Sequence, residues 1–578
     1  MEINSASRRG FFLLGAFLPP ALLAQLQQDR VTLPMLQQAL ALSGLSFTED
    51  DQKAMLQALN QNLTRFEAMR QAQIPNDVAP PFYFSPIVPG IKVDRTRRPL
   101  RFSVQKVRRP AKIEQVAFWP IAQISHLLRT RQVTSTELTE LYLARLHRYN
   151  DRLNCVVTFL DDVAREQAKQ ADAELKRGKY RGPLHGIPWG AKDIIAVKGF
   201  KTTWGSPVYR DQTIDEDASV VEMLRDAGAV LLAKLTSGEL AQGDQWFGGQ
   251  TKNPWNLQQG SSGSSAGPAS ATAAGCVGFA IGSETSGSIL SPSARCGVTG
   301  LRPTFGRVSR YGVMALSWTQ DRLGPLCRYA EDCAMVMSVI AKPDDRDMSV
   351  SDIPFNWNAR ASVRVLRVGY LKEAFDDTRD PVAKKYDENV LAKVESLGVK
   401  LVPVKVPEGA VDASGFAVES AVFFDQLIRS GRDKQLTNPS RGNGFRSARL
   451  IPAVEYLQAQ RLRTMMMMKL AEATADVDVY VVPANAGGGG AGRGGRGEGG
   501  AAAVPAGPPR QNALGRHFNM ANIAGYPAIS VPNGFAENGT PAAITFYARP
   551  FGEAGLLALA KAYQDASGFH LEHPKLEG

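Results

Sequence analysis

Residues 260–304 read GSSGSSAGPASATAAGCVGFAIGSETSGSILSPSARCGVTGLRPT, two serine-bearing, glycine-punctuated turns around one segment of small residues. Small residues permit close backbone approach and unusual dihedrals. The serines supply hydroxyls, and short turns entering helices aim unpaired N–H groups at a common point that can hold an oxyanion. This is the build of a covalent-catalysis site. A serine hydroxyl is a weak nucleophile at neutral pH and needs a base. A lysine can fill that role only as the neutral amine, a form favoured by burial and hydrogen bonding.

Further motifs follow a recognisable order: LHGIPWGAKDI at 184–194, GSETSGSI at 282–289, CGVTGLRPTFGRVSRYG at 296–312, DRLGPLCR at 321–328 and NMANIAGYPAISVPNGF at 519–535. Over residues 115–570 they resemble the amidase signature family, to which the amidase component of tRNA-dependent amidotransferases is related. The resemblance places Lys192 at the catalytic lysine and Ser288 at the nucleophile. Of Ser261, Ser262, Ser264 and Ser265, the family's usual separation of 24 residues selects Ser264 as the bridging serine. It also implies a cis peptide before Ser264 and an oxyanion hole made by the backbone N–H groups of Thr285, Ser286, Gly287 and Ser288. Lys192 would take a proton through Ser264 from Ser288, and water would hydrolyse the resulting acyl-enzyme, with no cofactor and no metal.

Residues 186–191 carry no charge, so nothing there opposes a neutral Lys192; Asp193 follows at once, but adjacent side chains on a strand point apart. Glu284 is read as structuring the turn rather than contacting substrate. The chain departs from the family pattern at Ser286 and Ser262, each in place of a glycine, and at Leu290 in place of an arginine. None of these removes a proton carrier. The missing arginine takes a fixed charge and five donors from beside the nucleophile loop.

These residues need a scaffold, and strand and helix signals alternate along the chain. Residues 229–233 read as a buried strand after a helix ending at 221–227, and 365–370 and 479–482 as further strands. The expected class is α/β: the amidase signature fold, a central mixed β-sheet covered by helices on both faces, with an N-terminal helical arm. The arm, 26–80, should hold two amphipathic helices, one striped by Leu33, Leu36, Ala39 and Leu40, the other by Met55, Leu56, Leu59, Leu63 and Phe66. Thr48 before Glu49, Asp50 and Asp51 marks the second helix start. This segment resembles the small helical C component of the amidotransferases. A Pro/Arg-rich strap occupies 81–114 and the catalytic domain 115–575, interrupted by a Gly-rich loop at 486–510 expected to be disordered. Met465 to Met468 read as helical, facing core or substrate channel, and Phe423, Phe424 and Tyr456 as candidates for an apolar acyl pocket.

Residues 7–12, SRRGFF, precede an apolar run at 13–24 that is too short and proline-broken to span a membrane. Residues 1–25 therefore read as a twin-arginine signal, placing the protein in the periplasm or outside the cell. The net charge of +11 arises from 67 basic residues interleaved with 56 acids, which does not indicate a nucleic-acid partner. Arg493 and Arg496, the two arginines set among the glycines, are too few to change this. Five cysteines and six scattered histidines offer neither a disulfide framework nor a metal cluster. The expected function is an exported amidase hydrolysing a small carboxylic amide, or an ester, without a stable membrane span, with a homodimer left open. The alternative is the glutamine amidase subunit of a tRNA-dependent amidotransferase, and a catalytically dead binding protein is a third class.

Overall fold

The computed structural model describes residues 30–71, 84–378, 381–408, 414–484 and 513–576. The twin-arginine segment, the Gly-rich stretch 486–510 and the first residues of the strap lie outside them. Among the described residues no helix is long and apolar enough to cross a membrane. The chain divides into two units, 1–73 and 74–578.

In the first unit, helices span Leu33–Leu42 and Glu49–Arg70. Thr48 caps the second, accepting from the Asp51 N–H with three acids in the first turn. Leu36, Leu40, Met55, Leu59 and Phe66 from the two stripes are buried. Asn60 exchanges hydrogen bonds with the backbone of Val31 at 2.9 and 3.1 Å, fastening the chain ahead of the first helix to the second.

In the second unit, eleven strands form one mixed sheet. In chain order they are β1 (Val156–Phe159), β2 (Pro188–Lys192), β3 (Val230–Leu235), β4 (Phe279–Glu284), β5 (Thr299–Arg302), β6 (Arg322–Cys327), β7 (Val368–Leu371), β8 (Leu401–Val404), β9 (Val479–Pro483), β10 (Ala528–Phe535) and β11 (Pro541–Ala548). Their spatial order is β1-β3-β2-β4-β6-β5-β10-β11-β9-β7-β8. β2 runs parallel to β3 and β4, β7 parallel to β8 and β9, and antiparallel pairs join the rest. Helices flank the sheet. The strands expected near 229, 365 and 479 are β3, β7 and β9; a 3-10 turn, Val363–Val365, occupies the start of the middle segment and delays its strand.

β2, β3, β4 and β6 are buried at every position, because helices cover them and leave no face for alternating polar residues. The helix Ser135–Leu153 begins with a complete capping box between Thr134 and Glu137. It packs Tyr142, Leu146, Tyr149 and Leu153 against Val230, Leu232 and Ala280. A second cluster joins Phe84, Val88 and Ile91 of the strap to Met466, Met467, Tyr480 and Tyr526. Met466 and Met467 thus face the core, while Met468 is exposed. The strap is tied further along by the Arg101 N–H donating to the Trp357 carbonyl at 2.9 Å.

Candidate active site

β2 delivers Lys192 at its last residue, and the parallel neighbour β4 delivers Ser283 and Glu284 at the same end of the sheet. The chain then turns through residues 285–288 into the short helix Leu290–Cys296. Gly287 sits at φ +86°, a conformation that disfavours any side chain, so the turn depends on glycine there. The other serine-bearing turn precedes the fully buried helix Ala266–Ala273, whose small residues admit it between its neighbours. Gly263 lies in that turn, where a Cβ would stand 1.9 Å from the Gly243 carbonyl oxygen. The Gly263–Ser264 peptide is cis, as the resemblance implies.

Lys192 is fully buried, and its Nζ donates to Ser264 Oγ at 2.7 Å and to Ser283 Oγ at 2.9 Å. Burial lowers its amine to about 7, against the opposing pull of Asp321 and Glu284. Ser264 is brought beside Ser288 by its neighbour: the Ser265 N–H donates to the Ser288 carbonyl at 3.0 Å. Ser265 Oγ also donates to the Ser283 carbonyl and accepts from the Ser283 N–H, both at 3.1 Å. Ser265 is therefore the staple between the two turns. Ser288 is half-buried and Ser286 is exposed.

Asp193 faces the other way, as strand alternation requires. Its carboxylate meets Lys234 Nζ of β3 at 2.8 Å and accepts from Thr203, with both charged side chains fully buried.

Glu284 holds the far side of the 285–288 turn. It accepts from the N–H groups of Ile289 and Leu290 at 2.7 and 2.9 Å and from Arg302 Nη1 at 2.9 Å. Burial disfavours its charge, but Arg302 and Arg322 outweigh that and hold the carboxyl below its ordinary range. The N–H groups of Ser286, Gly287 and Ser288 make no hydrogen bond among the described residues and remain available at the turn. Leu290, where the family pattern has arginine, helps line a small depression with Pro483, Phe518 and Tyr547.

Sequence reasoning did not assign roles to three residues here. Ser283 is the second partner of Lys192, and it stands inside the GSETSGSI motif itself. Asp321 accepts from Thr285 Oγ1 at 2.5 Å and from the Leu316 and Ser317 N–H groups at 2.7 and 2.9 Å. Arg322 follows it, directly opposite Glu284 in the β4–β6 ladder. Of the proposed acyl-pocket residues, Phe424 is buried against Phe445, and Phe423 packs against Trp204 and Trp318 with centroids 5.6 and 6.2 Å away. Among the described residues no group of His, Cys, Asp and Glu side chains forms a metal cluster.

Comparison with known proteins matches the chain to a family. A family profile described as Amidase matches residues 137–557. The A-type subunit of glutamyl-tRNA(Gln) amidotransferase from Methylococcus capsulatus is 34% identical over 487 residues, covering 78% of this chain and 98% of the relative. The corresponding protein of Moorella thermoacetica is 32% identical with the same coverage of both chains. Among solved structures, native peptide amidase from Stenotrophomonas maltophilia superposes with a TM-score of 0.69 at 29% identity, covering 80% of this chain and all of that one.

Proposed function

The chain belongs to the amidase family, and on that premise we propose that it cleaves a carboxylic amide through an acyl-enzyme on Ser288. The observation that carries the reading is the buried contact between Lys192 and Ser264, held beside Ser288. A neutral amine has two donors and one lone pair; with one donor kept on Ser283, rotation about the Cε–Nζ bond exchanges the donor on Ser264 for the lone pair, which takes the Ser264 proton across the same 2.7 Å contact. Ser264 passes its hydroxyl proton to Lys192 Nζ and takes the proton of Ser288 Oγ, which forms the new C–O bond to the substrate carbonyl carbon. The negative charge on the carbonyl oxygen is met by the free N–H groups of Ser286, Gly287 and Ser288. Collapse breaks the C–N bond, and the proton on Lys192 returns through Ser264 to the leaving nitrogen. Water then repeats the sequence on the ester.

For the amide itself, similarity along nearly the full length of the amidotransferase relatives favours glutamine as donor and ammonia as product. The twin-arginine motif and the likeness to a peptide amidase support the second reading, an exported enzyme hydrolysing a free amide or ester. Purified protein that hydrolyses an aryl amide with no partner supports free hydrolysis; glutaminase activity that appears only with partner subunits supports the first reading. Replacing Arg8 and Arg9 by lysine should hold the precursor in the cytoplasm, and unchanged export removes the twin-arginine route.

The nucleophile is tested directly. Ser288→Ala should abolish labelling by a fluorophosphonate, while Ser286→Ala should still label. A Ser288→Ala protein that labels like the parent moves the nucleophile elsewhere.

A further inference from the structure

Two arginines lie side by side under the nucleophile turn, and they are satisfied very differently. Arg302 spends its donors on Glu284, Asn522 and the Tyr526 carbonyl. Arg322, only 2% exposed, donates Nη2 to the Thr285 carbonyl and to Asn522 Oδ1, both at 3.2 Å, and its Nε and Nη1 have no hydrogen-bond partner among the described residues. Burying a guanidinium with unmet donors is costly, and a neutral glutamine could offer one hydrogen bond with far less desolvation. A glutamine here would carry the hydrogen bond but no fixed charge.

Thr285 is gripped twice by consecutive residues at the start of β6. Asp321 takes its hydroxyl proton at 2.5 Å, and Arg322 donates to its carbonyl. The peptide from Thr285 to Ser286 is trans, since Gly263–Ser264 is the cis bond among the described residues. A trans peptide directs its C=O and N–H oppositely. Drawing the carbonyl inward onto Arg322 turns the Ser286 N–H outward, to the side where the Ser286 side chain is exposed.

We propose that Arg322 is a positioning residue of the oxyanion site: through the Thr285 carbonyl it aims the Ser286 N–H at the developing oxyanion, and its charge sits beneath the turn that carries that anion. The inference rests on the acyl-enzyme reading and extends it. A donor aimed at a charge that appears only in the transition state changes the chemical step and leaves ground-state binding unchanged.

The test compares wild type with Arg322→Met, which removes donor and charge, and Arg322→Lys, which keeps a charge and a single donor point. A fluorophosphonate transfers its phosphorus to Ser288 with loss of fluoride, the Ser288 proton going to Lys192 through Ser264. Its maximal labelling rate should fall about 10- to 100-fold in Arg322→Met, with half-saturation within about twofold. Arg322→Lys should fall between the two. Affinity for phenylboronic acid, which forms a tetrahedral adduct with the serine, should weaken by a similar factor. Where the methionine variant fails to fold, the lysine variant and its boronate affinity decide. Equal labelling rates in all three proteins overturn the proposal, as does a loss confined to half-saturation or an unchanged boronate affinity. A wild-type protein that does not label at Ser288 instead breaks the acyl-enzyme reading itself.

Discussion

Lys192 and Lys234 stand on adjacent strands, β2 and β3, each with a fully buried side chain, yet they are different chemical objects. Lys234 meets the Asp193 carboxylate at 2.8 Å, with the Lys201 carbonyl and Thr202 Oγ1 each at 3.0 Å. Lys192 meets two serine hydroxyls, and burial lowers its amine to about 7. Burial alone does not make a lysine a base. What decides is the partner: a carboxylate within contact turns a buried amine into half of an ion pair, whereas hydroxyls leave it free to shed its proton. Strand alternation produces the contrast, since it sends Asp193 away from the serine turns and across to Lys234.

The contrast breaks most visibly in activity. Lys192→Ala should lower kcat/KM by about a thousandfold or more, and Lys192→Arg should do no better, because a guanidinium cannot accept the proton. An arginine variant with near wild-type activity at neutral pH would remove Lys192 from the mechanism.

The reverse ordering is expected for stability. Lys234→Met leaves Asp193 buried with only Thr203 for company and should cost about 3–5 kcal/mol in chemical denaturation. Lys192→Met leaves serines that can still bond to one another or to water and should cost about 1–3 kcal/mol. Equal losses from the two would mean that both amines are charged in the folded protein.

A smaller effect sharpens the reading of Lys192. As the base must be unprotonated, kcat/KM should rise with pH through about 7, the value to which burial depresses this amine. Asp321 pulls that value upward, so Asp321→Asn should move the rising limb to lower pH, whatever it does to the plateau. A limb that stays in place, or moves to higher pH, would show that another group titrates there.

Much of the site was legible in the sequence because its parts are local. The serine turns, the glycine at 287 and the structural reading of Glu284 could be taken from one stretch, and the separation of Asp193 from Lys192 followed from strand geometry alone. The amphipathic arm showed itself through period and cap. What stayed hidden depends on partners distant along the chain. Lys234 is 41 residues from Asp193, and nothing in AVLLAKL marks its lysine as paired. Asp321 and Arg322 meet Thr285 only because β6 lies against β4, a pairing that no periodicity announces. The segment 356–444 shows the same limit: a strand near 365 could be read from it, but not that β7 and β8 lie at one end of the sheet, nor that Glu419 in a later helix reaches Ser317 and Thr319 ahead of Asp321. Phe424 illustrates the remaining ambiguity, because an aromatic residue that packs a core and one that lines a cleft have the same signature.

The sheet order carries one more consequence. β2, β4 and β6, which present Lys192, the 285–288 turn and its grip, each have a strand on both sides, and an edge lies at least two strands beyond β2. Edge strands and termini fray on their own, while interior strands exchange their amide hydrogens through far rarer openings. The amides of Gly190, Ala191 and Ile281 should therefore be among the slowest to take up deuterium. An amine anchored there keeps its dry surroundings through the ordinary breathing of the protein, so its readiness to accept a proton is fixed by the fold rather than by the timing of any loop.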